Sequence, residues 1–118
     1  MKLSRGIVVV LSLDPTMGHE QKGVRPCVVV SAPEVIADQR YALMCVVPIT
    51  GTPGEGALYP RLSPGASGLR KPSFALVDQL RSVDKRRVTR FLGRVSADEL
   101  KNIDQSLRLY LGLVGSDS

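Results

Sequence analysis

Apolar residues occur in short runs along most of the chain, and polar segments that contain glycine or proline separate these runs. Runs rich in β-branched residues and bounded in this way are typical of β-strands. They predict six strands, at residues 5–13, 27–31, 43–50, 73–77, 80–83 and 88–95. We expect the strands at 27–31 and 43–50 to pair antiparallel, a loop at 16–23, and a loop with at most a short strand at 51–68.

A helical pattern begins near Ser96. Ser96 and Glu99 have the spacing of a capping box, which favours a helix start at this point. Apolar residues then recur at three- and four-residue steps, as on one face of a helix; they are Leu100, Ile103, Leu107, Tyr110 and Val114. Several short strands followed by one helix predict a mainly β (α+β) fold, with a barrel-like core and a C-terminal helix. The 118 residues are expected to form a single domain, 1–118.

Composition excludes several classes of protein. Hydrophobic residues make up 43% of the chain and charged residues 23%, which are ordinary globular values. His19 is the only histidine, and Cys27 and Cys45 are the only cysteines. A structural zinc site with four Cys or His ligands and a disulfide-rich secreted scaffold are therefore not expected. The longest apolar runs are far shorter than the ~20 residues of a membrane span, so we predict a soluble protein. Two free thiols fit a reducing cytosol, so we expect it to be cytoplasmic, and the few His and Cys residues leave no plausible metal cluster.

The positive charge is concentrated in one part of the chain. The net charge of the chain is +5. Between positions 60 and 95 there are nine basic residues and only two acidic ones, Asp78 and Asp84, so this segment has a net charge of +7. Six of these bases fall between Arg81 and Arg94. A basic stripe on one side of a small barrel is expected to attract a polyanion such as a nucleic acid. The alternative is an ordinary solvated face of strands and turns.

One long segment gives a specific signal. Residues 13–31 (LDPTMGHEQKGVRPCVVVS) closely resemble the signature of the MazF/PemK family of toxins, the ribonuclease halves of bacterial toxin–antitoxin pairs. The resemblance continues in order through most of the chain, in the segments 46–50 (VVPIT), 58–60 (LYP), 78–84 (DQLRSVD) and 93–96 (GRVS).

The resemblance implies a fold and an activity. The fold would be a small SH3-like β-barrel of the PemK/CcdB type, assembled as a homodimer. The activity would be sequence-specific cleavage of single-stranded RNA without metal or cofactor, by attack of the ribose 2′-hydroxyl on the adjacent phosphate. The implied partners are an acidic, MazE-like antitoxin and, for the toxin–antitoxin complex, operator DNA.

The family's catalytic pair falls on Arg25 and Thr50. An arginine can bind two phosphate oxygens and stabilise transition-state charge, and a threonine hydroxyl can donate to a phosphate oxygen. From the residues alone, a strand-end salt bridge and an ordinary strand threonine are the alternatives. By the same resemblance, RNA-binding roles are predicted for His19, Glu20, Lys22, Asp78, Gln79, Arg81 and Ser82.

Simpler roles remain open for several of these residues. His19 can be a plain loop histidine, and Glu20 can hydrogen-bond its own backbone or pair with Lys22. Asp78 and Asp84 can be turn residues that neutralise nearby arginines. One departure from the family is Leu76, where a plasmid-borne branch has an arginine; it places more of the expected chemistry on Arg25.

Two other functions compete with RNA cleavage. A toxin on the same barrel can bind and poison DNA gyrase, but relatives of that kind end in Trp-Gly, whereas this chain ends at 114–118 (VGSDS) and contains no tryptophan. A nucleic-acid-binding module that has lost cleavage is also possible, although the presence of Arg25 and Thr50 argues against it.

Overall fold

A computed structural model describes residues 2–113, which form a curled antiparallel β-sheet with one long helix against it. The seven strands are β1 (Ile7–Ser12), β2 (Val24–Val29), β3 (Leu43–Thr50), β4 (Arg61–Leu62), β5 (Ser73–Ala75), β6 (Arg81–Asp84) and β7 (Val88–Arg94). The helices are α1 (Pro33–Ala37) and α2 (Ala97–Leu111), and two short 3-10 turns cover Val77–Gln79 and Lys85–Arg87. The mainly β prediction with a C-terminal helix is confirmed.

The strands pair in the order β4-β5-β3-β2-β1-β7, and β6 also pairs with β3. The predicted antiparallel pairing of β2 with β3 is confirmed, with Cys27 opposite Pro48 and Val29 opposite Val46. The sheet curls because β3 is long enough to pair with three strands: β2 on one edge, and β5 and β6 in succession on the other.

The 3-10 turn Val77–Gln79 lies between β5 and β6. Thr50 is opposite Phe74 in β5, and Val46 is opposite Arg81 in β6. The eight residues 74–81 therefore lie against the five residues 46–50 of β3, and the surplus three are looped out as the 3-10 turn. Asp78 and Gln79 project from the sheet for this reason, while Val77 is fully buried beneath them.

The sheet carries a core on each face. Successive side chains of a strand point to opposite faces, so Val9, Leu11 and Cys27 enter one cluster while Val8 and Val28 enter the other. Ile103 of α2 is fully buried in the second cluster. Covering both faces explains why β1 and β2 are apolar on both sides.

The start of α2 confirms the predicted capping box, in which Ser96 and Glu99 exchange hydrogen bonds. Leu100, Ile103 and Leu107 pack against the sheet of their own chain. Tyr110, expected on the same stripe, is 45% exposed and is not among the side chains packed against the second cluster. Val114 and the terminal residues 114–118 lie outside the described residues. Within the described part of the chain, no helix is both long and apolar enough to cross a membrane.

Two differences from the sequence prediction exceed two residues at the end of an element. β2 begins at Val24, earlier than the predicted 27, because Val24 and Arg25 pair with Ser12 and Leu11 of β1. The helix α1 was not predicted; it has five residues and no side-chain cap, so it leaves little signal beyond Pro33 in its first turn.

Candidate active site

Arg25 and Thr50 lie at the same end of the sheet. The last recorded pair between β2 and β3 joins Cys27 and Pro48, and Arg25 and Thr50 are each two residues beyond it. Since alternate residues share a face, Arg25 lies on the same face as Cys27, and Thr50 lies on the same face as Val46. Cys27 and Val46 belong to one core cluster, so the two predicted catalytic residues share that face.

The Arg25 side chain is exposed and is held through one nitrogen of its guanidinium. Its Nε atom donates to the carbonyl oxygen of Lys22 at 3.1 Å. Within residues 2–113, no hydrogen bond or ion pair involves its two Nη atoms, so a strand-end salt bridge is not what holds Arg25 there. A guanidinium tethered through Nε keeps its terminal donors available for a bidentate contact with an anion.

The Thr50 hydroxyl is aimed by a local contact. Its Oγ1 atom accepts a hydrogen bond from the backbone N–H of Thr52 at 3.1 Å. A hydroxyl that accepts one bond still has its own proton to donate. The contact therefore fixes the oxygen and leaves the donor free.

A surface cleft of about 290 Å³ lies beside this end of the sheet. One wall is the loop between β1 and β2 (residues 13–23, the β1–β2 loop), and the other is the turn Val77–Gln79 with the start of β6. The lining residues are His19, Glu20, Gln21, Asp78, Gln79, Leu80 and Arg81. Arg25 and Thr50 are not among them; Arg25 is joined to the cleft wall through Lys22.

Hydrogen bonds hold the β1–β2 loop over the sheet. Gln79 accepts from the backbone N–H of Gln21 at 2.6 Å and donates to the carbonyl oxygen of His19 at 3.3 Å. Arg81 donates to the carbonyl oxygen of Leu13 at 2.6 Å. Arg87 donates to the carbonyl oxygens of Ser12 and Asp14, at 3.1 and 3.0 Å. Two arginines therefore bind the backbone of the chain where β1 ends.

Only one of the two oxygens of the Asp78 carboxylate has a hydrogen-bond partner among the described residues. Its Oδ2 atom accepts from the Tyr59 hydroxyl at 2.8 Å, whereas Oδ1 is buried with no hydrogen-bond partner among the described residues. This contact, followed by partial burial, raises the pKa of Tyr59.

The Cys27 thiol, which lies near Arg81, is not reactive. Burial raises its pKa to about 12, and the positive charge of Arg81 lowers the pKa by less.

The structure brings together five of the seven residues predicted to bind RNA. His19, Glu20, Asp78, Gln79 and Arg81 line the cleft. The Glu20 carboxylate accepts a hydrogen bond from the backbone N–H of Met17 and so closes a tight turn. This is the simpler role considered above, in which Glu20 binds the backbone of its own loop.

Lys22 and Ser82 lie outside the cleft. Ser82 is one residue from Arg81 in β6 and therefore faces the other side of the sheet, where its hydroxyl lies 3.7 Å from the Cys45 sulfur. Lys22 contributes its carbonyl oxygen to the Arg25 contact.

The bases between Arg81 and Arg94 do not form one stripe. Arg90 is opposite Val10 and so points to the face opposite to that of Arg25, which pairs with Leu11. Lys85 donates to the carbonyl oxygens of Val35 and Asp38. The prediction of a single basic side is wrong because strand alternation and the turn Lys85–Arg87 distribute these side chains.

Three residues of the site were missed by sequence reasoning. Gln21 and Arg87 act through contacts that join distant parts of the chain, and a single sequence does not reveal such contacts. Tyr59 lies in segment 58–60, which resembles the family and so pointed to this residue, but its hydrogen bond to Asp78 could not be predicted from it.

No group of three His, Cys, Asp or Glu side chains within residues 2–113 is arranged to hold a metal ion.

A family model described as PemK-like, MazF-like toxin of type II toxin-antitoxin system matches residues 4–111. The chain belongs to the PemK/MazF family. One relative of this toxin is Endoribonuclease MazF9 of Mycobacterium tuberculosis, which is 36% identical over 117 residues, covering 94% of this chain and 98% of that protein.

Solved structures agree with this family membership. The crystal structure of MazF (Form-I) from Deinococcus radiodurans is 30% identical, with a TM-score of 0.80, and the match covers 95% of this chain and 98% of that one. The MazE-MazF (Form-II) structure from the same organism is 29% identical, with a TM-score of 0.74, covering 97% of this chain and 99% of that one. The curled sheet and C-terminal helix of this toxin are thus those of the MazF fold.

Proposed function

We propose that this MazF-type endoribonuclease toxin cleaves single-stranded RNA at specific sequences, without a metal ion, using Arg25 and Thr50. The observation that carries the proposal is their placement on one face and at one end of the sheet, each with donors that no described residue uses. An RNA phosphate at this end can accept from both side chains.

The proposed reaction is transfer of the scissile phosphate to the ribose next to it. The 2′-oxygen forms a bond to phosphorus and gives up its proton, while the bond from phosphorus to the 5′-oxygen breaks and that oxygen takes up a proton. The products are a 2′,3′-cyclic phosphate and a 5′-hydroxyl. Negative charge builds on the non-bridging oxygens in the transition state, and donors already in place there stabilise it.

We assign the other site residues by position. His19, Glu20 and Asp78 are the cleft-lining groups that can accept a proton. Arg81 and Arg87 place positive charge beside the end of β1, where flanking phosphates of the same RNA would lie. Lys22, at the root of the Arg25 contact, adds further positive charge in the same loop.

We also propose the assembly and the partners of the toxin. A homodimer would cover apolar side chains exposed at the end of α2, such as Leu109 and Leu113. An acidic, MazE-like antitoxin would neutralise the +7 segment, and the complex of the two would bind operator DNA. The MazE-MazF structures from Deinococcus radiodurans support a complex of this kind. A monomeric mass by light scattering, or no binding of the acidic antitoxin segment, would contradict this part of the proposal.

The proposal is tested by incubating the purified toxin with a long RNA in excess EDTA and mapping the fragment ends. We expect cutting at a few related sequences, unaffected by the chelator, with cyclic phosphate on one side of each cut. Intact RNA, or cutting abolished by EDTA, would overturn it. Intact RNA together with inhibited DNA supercoiling would favour the gyrase-poisoning alternative.

A further inference from the structure

The amide of Gln79 is attached at both of its ends to the backbone of the β1–β2 loop. Its Oε1 atom accepts from the N–H of Gln21 at 2.6 Å, and its Nε2 atom donates to the carbonyl oxygen of His19 at 3.3 Å. A glutamine amide that both accepts from and donates to one loop fixes the position and the orientation of that loop.

These two hydrogen bonds, the Gln79 clamp, hold a part of the loop that makes few other contacts with the sheet. Arg81 and Arg87 bind the first residues of the loop, at Leu13 and Asp14. Among the described residues, Gln79 is the only side chain from outside the loop that hydrogen-bonds residues 16–21. The bond between Glu20 and Met17 is internal to the loop and does not tie it to the sheet.

The Gln79 clamp ends at Gln21, the neighbour of Lys22, whose carbonyl oxygen binds Arg25. Gln79 fixes the N–H of Gln21, and the carbonyl oxygen of the next residue, Lys22, accepts from Arg25 Nε at 3.1 Å. A contact chain therefore runs from the turn Val77–Gln79 through the loop to the guanidinium.

We infer that Gln79 is a positioning residue, which acts through the β1–β2 loop to set the orientation of Arg25 toward the scissile phosphate. The inference rests on the proposed function, in which Arg25 contacts that phosphate. It assigns Gln79 a different main task from the predicted RNA-binding role, because the two hydrogen bonds to the loop already define the orientation of its amide.

The loop contact is tested without RNA, by hydrogen exchange at the Gln21 amide in the free toxin. Gln79→Ala removes both bonds, whereas Gln79→Glu keeps an acceptor for the Gln21 N–H and loses the donor to His19. Gln105→Ala, an exposed glutamine on α2, is the matched control. We expect exchange at Gln21 to be about tenfold faster in Gln79→Ala, and unchanged in Gln105→Ala. Gln79→Glu should retain most of the protection.

The effect on Arg25 is tested by kinetics. In Gln79→Ala we expect kcat to fall about tenfold while KM stays within about twofold, because a misdirected Arg25 weakens the transition state and not general RNA binding. Gln79→Glu should recover part of kcat. When Arg25 is already alanine, adding Gln79→Ala should lower kcat by less than about twofold, since a residue that acts through Arg25 has nothing left to position.

Two results would overturn the inference. One is unchanged exchange at Gln21 in Gln79→Ala, and the other is a full additional loss of kcat in the Arg25→Ala background. If Gln79 instead contacts bases, its alanine variant will change which sequences are cut. Failure of the proposed function is recognised separately, because the wild-type toxin would then leave RNA intact in EDTA whatever the exchange experiment shows.

Discussion

The Nε atom of Arg25 donates to the carbonyl oxygen of Lys22 at 3.1 Å, and this contact uses neither of the two Nη atoms of the guanidinium. Arg25 is thus held through Nε, while its two terminal donors have no hydrogen-bond partner among the described residues. This arrangement suits a group that meets a phosphate only when RNA binds.

Replacing Arg25 tests its role directly. Arg25→Ala is expected to lower kcat by about 100-fold or more, the usual effect of removing a donor that stabilises transition-state charge. The fold should persist, because the side chain is exposed and makes one hydrogen bond. Single-turnover cleavage of an RNA oligonucleotide measures the loss, with Arg108→Ala on α2 as control. Near wild-type cleavage by Arg25→Ala would remove Arg25 from the mechanism.

A second prediction concerns the Thr50 hydroxyl. Thr50→Val keeps the shape of the side chain and removes the donor, so cleavage should fall by about 100-fold. Thr50→Ser keeps the hydroxyl and should lose far less. Thr52→Val is the control, because within the described residues Thr52 contributes its backbone N–H and not its side chain. Equal activities of the valine and serine variants of Thr50 would show that the hydroxyl does not act.

The Tyr59–Asp78 contact predicts a pH dependence of stability. The hydrogen bond to Asp78, followed by burial, raises the pKa of Tyr59 in the folded state. A raised pKa means that the folded state favours the protonated phenol. Its stabilising effect is therefore complete below the unfolded pKa of about 10 and is lost as the pH rises through the folded value.

Urea unfolding of the wild type and of Tyr59→Phe between pH 8 and pH 11 measures this effect. The wild type should be more stable at pH 8, and the difference should shrink toward pH 11. A difference that stays constant over this range would show that the phenol proton does not contribute.

A fourth prediction separates the basic residues by position. Arg87 lies on the end of β1 near Arg25, whereas Arg90 points to the opposite face. With a non-cleaving variant, Arg87→Gln should reduce the slope of log affinity against log salt by about 0.7, the value for one phosphate contact of a single strand. Arg90→Gln should leave the slope unchanged. Equal changes would indicate general attraction without a defined groove.

Local signals predicted much of the fold from the sequence. The bonds between Ser96 and Glu99 join residues three apart, so the start of α2 could be recognised directly. The apolar runs of β1, β2 and β3 indicated strands because both of their faces are buried. The first residues of β2 were missed because Val24 and Arg25 are strand residues only through pairing with β1, and that pairing is not written in their own segment.

The sequence named several residues of the cleft but not the contacts between them. Five predicted residues do line one cleft, yet the role of Gln79 depends on Gln21 and His19, which precede it by 58 and 60 residues. The family motif assigns RNA-binding roles to both Arg81 and Ser82, but neighbouring residues of a strand lie on opposite faces. Contacts of this kind follow from the curl of the sheet, which no local pattern specifies.

The central claim, attack by the ribose 2′-hydroxyl, is tested most directly by removing that hydroxyl from the substrate. An RNA oligonucleotide that spans a mapped cut site is made with a 2′-deoxy nucleotide on the 5′ side of the cut, and a second has the deoxy nucleotide two positions away. We predict that the first resists cleavage completely and that the second is cut at the normal site. Cleavage of the first at an undiminished rate would mean that water attacks the phosphate, and would contradict the mechanism.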